Sequence, residues 1–305
     1  MKILITELYT LPIDVKERFE NAGFPVDYTD GSSVIDPSLY DVVYGQHPFK
    51  HYPYSAFTNL KFLQLSSAGI DHLPVESWLK DKVLISNAKG VYSAPIAEMI
   101  VMSILMGLKQ IPQFMASQSK HEWKKENTRE LGFLKVLLLG TGNIASEAAL
   151  RLAPFGPLLI GLNSDGRAIP HFNVTGKLSE LQAYLASVDI IVNTLPLTQD
   201  TTHLMDEKFF NGLKEKTIFI NIGRGKSVDE AALIKALDTD QLSFVYLDVF
   251  EEEPLKKDSP LWAHPKVLIT PHNSGYGQLM FERNYSLLLN NIQHYLSNET
   301  LENQL

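Results

Sequence analysis

The stretch Lys135-Val136-Leu137-Leu138-Leu139-Gly140-Thr141-Gly142-Asn143-Ile144-Ala145 leaves few folds open to this chain. Five residues, four of them aliphatic, run directly into a glycine-punctuated turn, and Ala148, Ala149 and Leu152 continue beyond it with helical apolar spacing. Such a pattern needs a buried strand that feeds a helix. Gly140 permits the tight turn and Gly142 lets a pyrophosphate approach the backbone. The helix that opens at Asn143 and Ile144 offers free N–H groups and its dipole to the phosphate charge. The motif reads G-x-G-x-x-A, with Ala145 small enough for helix and strand to pack closely. A plain strand-to-helix turn looks the same, so the rest of the chain decides between them.

A chain of 305 residues is too long for one small core and suggests two domains. The formal charge of −8 argues against nucleic acid or an anionic membrane as partner, because both demand a basic surface. With no cysteine, neither disulfides nor thiolate metal sites can form. The amino terminus, Met1-Lys2-Ile3-Leu4-Ile5-Thr6-Glu7, breaks its apolar run too early for a signal peptide. The longest apolar segment, 99–108, falls well short of the ~20 residues that span a bilayer. These features read as a soluble, cytoplasmic protein.

Short β-rich runs at 2–6, 26–29, 41–44, 61–65 and 82–86 alternate with helical or loop segments such as 12–22 and 74–79. That alternation predicts a parallel sheet with helices on its faces. Ser66-Ser67-Ala68-Gly69-Ile70-Asp71 follows the fourth run, where a small-residue loop can offer backbone N–H groups to an anion or simply turn the chain. Ser93 is expected to cap a helix with Pro95 in its first turn. Ala97, Ile100, Val101, Ile104, Leu105 and Leu108 share one face of it, and Met99, Met102 and Met106 predict burial almost all round. So apolar a helix can serve as hinge and as subunit contact. Residues 120–130, of mixed charge around Trp123, read as a solvated connecting arm. After the glycine motif, strands are expected at 158–162, 189–193, 217–221, 243–247 and 267–270, with helices at 178–186, 207–213 and 229–237 between them. An amphipathic helix closes the pattern at 278–296.

Three further motifs sit at strand ends of this second sheet. Asn221-Ile222-Gly223-Arg224-Gly225 places an arginine between glycines. Leu247-Asp248-Val249-Phe250-Glu251-Glu252-Glu253-Pro254 carries carboxylates, and Thr270-Pro271-His272-Asn273-Ser274-Gly275 carries a histidine. An arginine, a carboxylate and a histidine gathered at a nicotinamide suit hydride transfer. The guanidinium grips a 2-oxo acid and polarises its carbonyl, the imidazolium donates a proton, and the carboxylate favours the charged ring. His47 and His51 are four residues apart, but Pro48 and Pro53 argue against a helix that would pair them on a metal, and no metal is expected.

At these residues the chain resembles the D-isomer-specific 2-hydroxyacid dehydrogenase family, which includes phosphoglycerate dehydrogenase, D-lactate dehydrogenase and glyoxylate/hydroxypyruvate reductase. The resemblance runs from residues 67–71 through the glycine turn to Pro271-His272. It implies an α/β fold of two doubly wound parallel-sheet domains. Residues 1–92 plus 277–305 would form a flavodoxin-like substrate (catalytic) domain, and residues 93–276 an NAD(P)-binding Rossmann domain. It further implies that Arg224 binds substrate, that His272 is the acid/base and that Glu253 supports it. The N–H groups of Ala68 and Gly69 would hold the substrate carboxylate. Asp248 would contact the nicotinamide amide, and Leu195, Pro196, Ile222 and Gly223, with Ser274 and Gly275, would line the cofactor. The expected partner is a small 2-oxo or 2-hydroxy acid, and the expected assembly a homodimer. A non-catalytic dinucleotide sensor of the co-repressor type shares the fold and stays open as a second reading.

The sequence departs from the commonest family pattern at the adenosine ribose, where an Asp or Glu about 20 residues past the glycines usually binds the hydroxyls. Here an uncharged Asn163 ends the strand, followed by Ser164 and, after Asp165, by Arg167. A hydroxyl donor and a guanidinium suit a 2′-phosphate, so NADP is favoured over NAD. A shifted turn that put Asp165 on the ribose would reverse this.

Overall fold

The computed structural model describes residues 1–71, 73–81 and 83–305, and the chain divides into two compact units, Met1–Tyr92 with Tyr276–Leu305, and Ser93–Gly275. Among the described residues, the first unit holds five parallel strands: β1 (Ile3–Ile5), β2 (Val26–Tyr28), β3 (Val42–Gly45), β4 (Phe62–Leu65) and β5 (Leu84–Ser86). Their order is β2-β1-β3-β4-β5, the flavodoxin-like winding. Lys82, where the fifth strand was expected to begin, lies outside the described residues.

The period-two alternation of these strands divides the core between two faces. Ile3, Ile5, Val42, Tyr44 and Phe62 pack with Phe19 of α1 (Val15–Asn21) and with Tyr285, Leu288 and Ile292 of α9 (Met280–Leu296). Leu4, Val43, Leu63 and Leu65 pack with Tyr40, Phe57 and Trp78, the last from α2 (Val75–Leu79). Full burial of each such side chain is worth about 1.5–3 kcal/mol, which is why these runs are aliphatic and aromatic. Arg18 of α1 grips Glu282 of α9 with both guanidinium nitrogens at 2.8 Å. The C-terminal residues return to the sheet edge, where Gln304 bridges Ser86 antiparallel and Leu305 N–H donates to the Ile85 carbonyl.

Among its described residues, the second unit holds seven parallel strands in the order β12-β11-β10-β9-β6-β7-β8. These are β6 (Lys135–Leu139), β7 (Leu158–Asn163), β8 (Val174–Lys177), β9 (Ile190–Asn193), β10 (Thr217–Asn221), β11 (Leu242–Leu247) and β12 (Val267–Ile269). The winding reverses between β6 and β9, the switch point at which an open α/β sheet makes its ligand crevice. Its helices are α3 (Ser93–Leu108), α4 (Ile111–Ser119), α5 (Asn143–Leu152), α6 (Gln182–Leu185), α7 (Glu207–Asn211) and α8 (Glu230–Asp238).

Three expectations need correction. Ser93 does not cap α3 from outside; it is the first helical residue and is buried. Nor is α3 buried all round, since Glu98 is exposed and Met102 is 37% exposed, while Val101, Leu105, Met99 and Met106 are half-buried. The expected helix at 178–186 is a 3-10 turn at Leu178–Glu180 followed by the single turn of α6. No single helix among the described residues is long and apolar enough to cross a membrane. The bent pair α3 and α4 passes such a test together only by length and composition, and α3 buries Ile96, Ala97, Ile100 and Ile104 in the protein.

Candidate active site

The turn after β6 is built for an anion. Gly140 adopts φ +89°, a left-handed conformation that a side chain strains, and a Cβ there would lie 2.9 Å from Thr194 Oγ1. Gly142 is the N-cap of α5, and no side chain caps this helix. A Cβ on Gly142 would meet nothing within 4 Å, so the space beside this helix start is open. A helix start with a glycine N-cap and no side-chain cap fits a pyrophosphate.

At the end of β7, Asn163 is buried and holds the following turn. Its Nδ2 donates to Thr141 Oγ1 at 3.1 Å and to the Arg167 carbonyl at 3.0 Å, and its Oδ1 accepts from the amides of Asp165 and Gly166. Ser164, Asp165 and Arg167 are thereby set on the surface, with Arg167 Nη1 3.0 Å from both oxygens of Asp165. Leu195 and Ile222 are buried and Pro196 is exposed, at the ends of β9 and β10.

Polar side chains buried among aliphatic strands need partners, and here they hold the arginine turn. Asn193 Nδ2 donates to Asn221 Oδ1 at 2.9 Å and to Ser227 Oγ at 2.8 Å. Asn221 Nδ2 and Ser227 Oγ in turn donate to the carbonyl of Arg224. Gly223 packs so closely that a Cβ would lie 2.8 Å from the Leu195 carbonyl oxygen, and a Cβ on Gly225 would lie 1.8 Å from that of Phe250. The turn that carries Arg224 is thus pressed against the segment that carries Glu253. The roles of Asn193, Asn221 and Ser227 had no signal in the sequence, because the side chains meet only once the strands are aligned.

His272 follows β12 with φ +49°, in the left-handed region that non-glycine residues adopt infrequently. Its amide donates to the Asp248 carbonyl at 2.8 Å. The Asp248 carboxylate accepts from Thr270 Oγ1, from the amides of Asn273 and Ser274, and from Ser274 Oγ. Asp248 and Ser274 are therefore buried in the frame of the histidine loop, with Gly275 next to it. The imidazole Nδ1 lies 2.8 Å from Glu253 Oε2, and Glu253 Oε1 accepts the Phe250 amide at 3.0 Å. The hydrogen bond to Glu253 raises the His272 pKa above its ordinary 6.5 against the effect of burial, and the nearby Arg224 charge opposes the rise. Burial pushes the Glu253 carboxyl up, but the hydrogen bonds from His272 and Phe250 outweigh it, so its pKa is lowered. The side chain of His272 is 54% exposed, and with Nδ1 engaged its Nε2 is the nitrogen placed for exchange.

In the first unit the loop after β4 is tied by its carbonyls. Tyr92 Oη donates to the Ser66 carbonyl at 2.5 Å, the Ala88 amide to Ser67, Asn87 Nδ2 to Ala68, and Ser67 Oγ to Gly69. Among the described residues no hydrogen bond occupies the amides of Ala68 and Gly69. Also among them, no group of three or more His, Cys, Asp and Glu is arranged to hold a metal.

Residues 101–274 match the family profile described as D-isomer specific 2-hydroxyacid dehydrogenase, NAD binding domain. The chain belongs to the D-isomer specific 2-hydroxyacid dehydrogenase family. This dehydrogenase is 32% identical over 235 residues to glyoxylate/hydroxypyruvate reductase B of Klebsiella pneumoniae, spanning 72% of this chain and 69% of that one. Its fold matches a D-isomer specific 2-hydroxyacid dehydrogenase from Xanthobacter autotrophicus Py2, solved with NADPH and MES, at TM-score 0.89 and 30% identity, over 100% of this chain and 97% of that one. It also matches the NADPH-dependent glyoxylate/hydroxypyruvate reductase from Sinorhizobium meliloti, solved with NADP and sulfate, at TM-score 0.85 and 27% identity, over 100% and 98% of the two chains. The protein is an NAD(P)-dependent enzyme that moves hydride between a nicotinamide dinucleotide and a 2-hydroxy or 2-oxo acid.

Proposed function

We propose that this enzyme reduces a small 2-oxo acid to its D-2-hydroxy acid with NADPH, His272 supplying the proton. The hydrogen bond of 2.8 Å between His272 and Glu253, on a turn that leaves the ring half-exposed, carries this reading. Bound cofactor supplies the hydride to the carbonyl carbon. His272 Nε2 gives its proton to the carbonyl oxygen, and Glu253 stabilises the ring before the transfer and keeps Nδ1 protonated after it. Arg224 pairs with the substrate and draws electron density from its carbonyl, and within the first unit the amides of Ala68 and Gly69 are the groups suited to a substrate carboxylate. Asp248 contacts the nicotinamide amide, from the frame of the histidine loop that its carboxylate holds. The amides at Gly142, Asn143 and Ile144 receive the pyrophosphate, and Leu195, Pro196, Ile222, Gly223, Ser274 and Gly275 line the rest of the cofactor. The expected assembly is a homodimer, supported by the part-exposed apolar side chains Met102 of α3 and Ile111 and Met115 of α4.

The preference for NADPH rests on the turn that Asn163 holds, which presents Ser164 and Arg167 to solvent with no carboxylate at the strand end. Two structural relatives hold NADPH or NADP, which supports the same reading. Arg167 must exchange Asp165 for the 2′-phosphate, a doubly charged and therefore stronger partner. Initial rates with glyoxylate and hydroxypyruvate, each against NADPH and NADH, test it. A higher kcat/KM with NADPH is expected, and Arg167→Ala should raise the KM for NADPH far more than that for NADH. A wild-type enzyme that favours NADH would instead place Asp165 on the ribose.

A further inference from the structure

The carboxyl ends of β1, β3 and β4 converge on one side chain that no role above uses. Glu7, just past β1, accepts the Gln46 amide at 2.7 Å through Oε2 and the His47 amide at 3.1 Å through Oε1, and Ser66 Oγ donates to Oε2 at 3.1 Å. Gln46 and His47 directly follow β3, and Ser66 directly follows β4 at the base of the loop that holds Ala68 and Gly69. Beside it Tyr9 Oη donates to Gln46 Oε1 at 2.5 Å. Burial first, and then the Glu7 charge, push the Tyr9 pKa up, so its hydroxyl stays protonated. Backbone donors from one neighbouring strand end and a hydroxyl from another fix this carboxylate as part of the fold. Lys50, the lysine in the segment after β3, is exposed on the surface, and the charge built into the strand ends is Glu7.

We propose that Glu7 is a specificity-determining residue of the substrate subsite in the first unit: its fixed negative charge admits monoanionic 2-oxo acids and rejects those with a second carboxylate or a phosphate. This rests on the reading that Ala68 and Gly69 hold the substrate carboxylate. A 2-oxo acid is only a few atoms long, so a second anionic group cannot stay far from a carboxylate bonded to Ser66, two residues before Ala68. Unit charges about 6 Å apart at an effective dielectric of about 20 repel by about a hundredfold in binding, and partial exposure of Glu7 reduces this to about tenfold. Short tails that carry hydrogen or a hydroxyl escape the penalty.

The test is the ratio of kcat/KM for oxaloacetate to that for glyoxylate, measured with NADPH in the wild type, Glu7→Gln and Glu7→Asp. The wild type is expected to favour glyoxylate by about tenfold or more. In Glu7→Gln the ratio should rise by about tenfold, and Glu7→Asp, which keeps the charge, should stay close to the wild type. If Glu7→Gln does not fold, raising the ionic strength of the wild-type assay from about 0.02 M to about 0.5 M should raise the ratio, because salt screens the repulsion. An unchanged ratio in a folded Glu7→Gln, or an unscreened wild type that accepts both acids equally, overturns the inference and leaves the reductase reading standing. A wild type that reduces neither these acids nor hydroxypyruvate removes that reading, and the inference with it.

Discussion

A histidine half exposed to water ordinarily loses its proton near pH 6.5. His272 does not, because Glu253 accepts its Nδ1–H and raises the folded pKa. On the proposed role of His272 reduction needs the protonated ring, so kcat/KM for the 2-oxo acid should hold through the ordinary histidine range and fall only as the pH rises through the raised value. In Glu253→Gln the charge is gone, and the alkaline limb should move to lower pH while reduction at acidic pH is largely kept. His272→Ala should lower kcat by about 10²–10⁴ with cofactor binding intact. A pH profile that does not move in Glu253→Gln would detach the pair from proton transfer. Arg224, Glu253 and His272 could be proposed from the sequence because their spacing and residue types form a recognisable set, and the structure adds the 2.8 Å contact between His272 and Glu253. Asn193, Asn221 and Ser227 were not, because their partners are 28 and 34 residues away and nothing local marks a strand-end asparagine as a support. Glu7 escaped notice for the same reason, with partners 39 to 59 residues distant.

Between elements, one buried carboxylate pins the amino ends of the second sheet. Asp189, just before β9, accepts from the amide of Lys135 on β6 at 3.0 Å, from Lys214 before β10 at 2.8 Å, and from Arg129 in the arm at 2.6 Å. Burial pushes its pKa up, but these donors outweigh it and the folded value lies below the usual 3.8. A depressed carboxylate contributes stability that is present above its unfolded pKa and lost as pH falls through the folded one. Asp189→Asn should therefore cost about 1–3 kcal/mol near neutrality, and the gap from the wild type should shrink in acid, a trend urea titrations at several pH values would show. A gap independent of pH would mean that Asp189 acts by shape alone. The strands around it were readable as near-continuous aliphatic runs. Strand β8, Val-Thr-Gly-Lys at the sheet edge, lacks that signature because an edge needs little burial. Helix α4 had no counterpart either: the chain bends by 63° after α3, with Gln110 at φ +53° and Pro112 in the next turn, and the sequence Ile-Pro-Gln-Phe-Met-Ala-Ser-Gln-Ser shows no clean apolar stripe. The methionines of α3 misled in the other direction, since an apolar residue shows only that burial is tolerated.

At the scale of the whole chain, each unit closes its own core. Ile3, Val42, Phe62 and Leu288 belong to one, and Leu137, Ile191, Phe219 and Val245 to the other. The chain passes between the units at Tyr92–Ser93 and again at Gly275–Tyr276, so neither sheet needs the other to complete its hydrogen bonds. Cooperative unfolding follows the core, and a chain with two cores need not melt as one body. The glycine turn, Arg167 and the strand ends proposed to line the cofactor all belong to the second unit. A ligand that binds the folded form stabilises what it binds by RT ln(1 + [L]/Kd), about 2.7 kcal/mol at a hundredfold excess over Kd. Scanning calorimetry is therefore expected to show two transitions, of which NADPH raises one and leaves the other in place. Hydrogen exchange in the same samples should assign the raised transition to β6, β7 and α5. A single transition that NADPH moves as a whole would show that the two cores share one cooperative unit, despite their separate sheets.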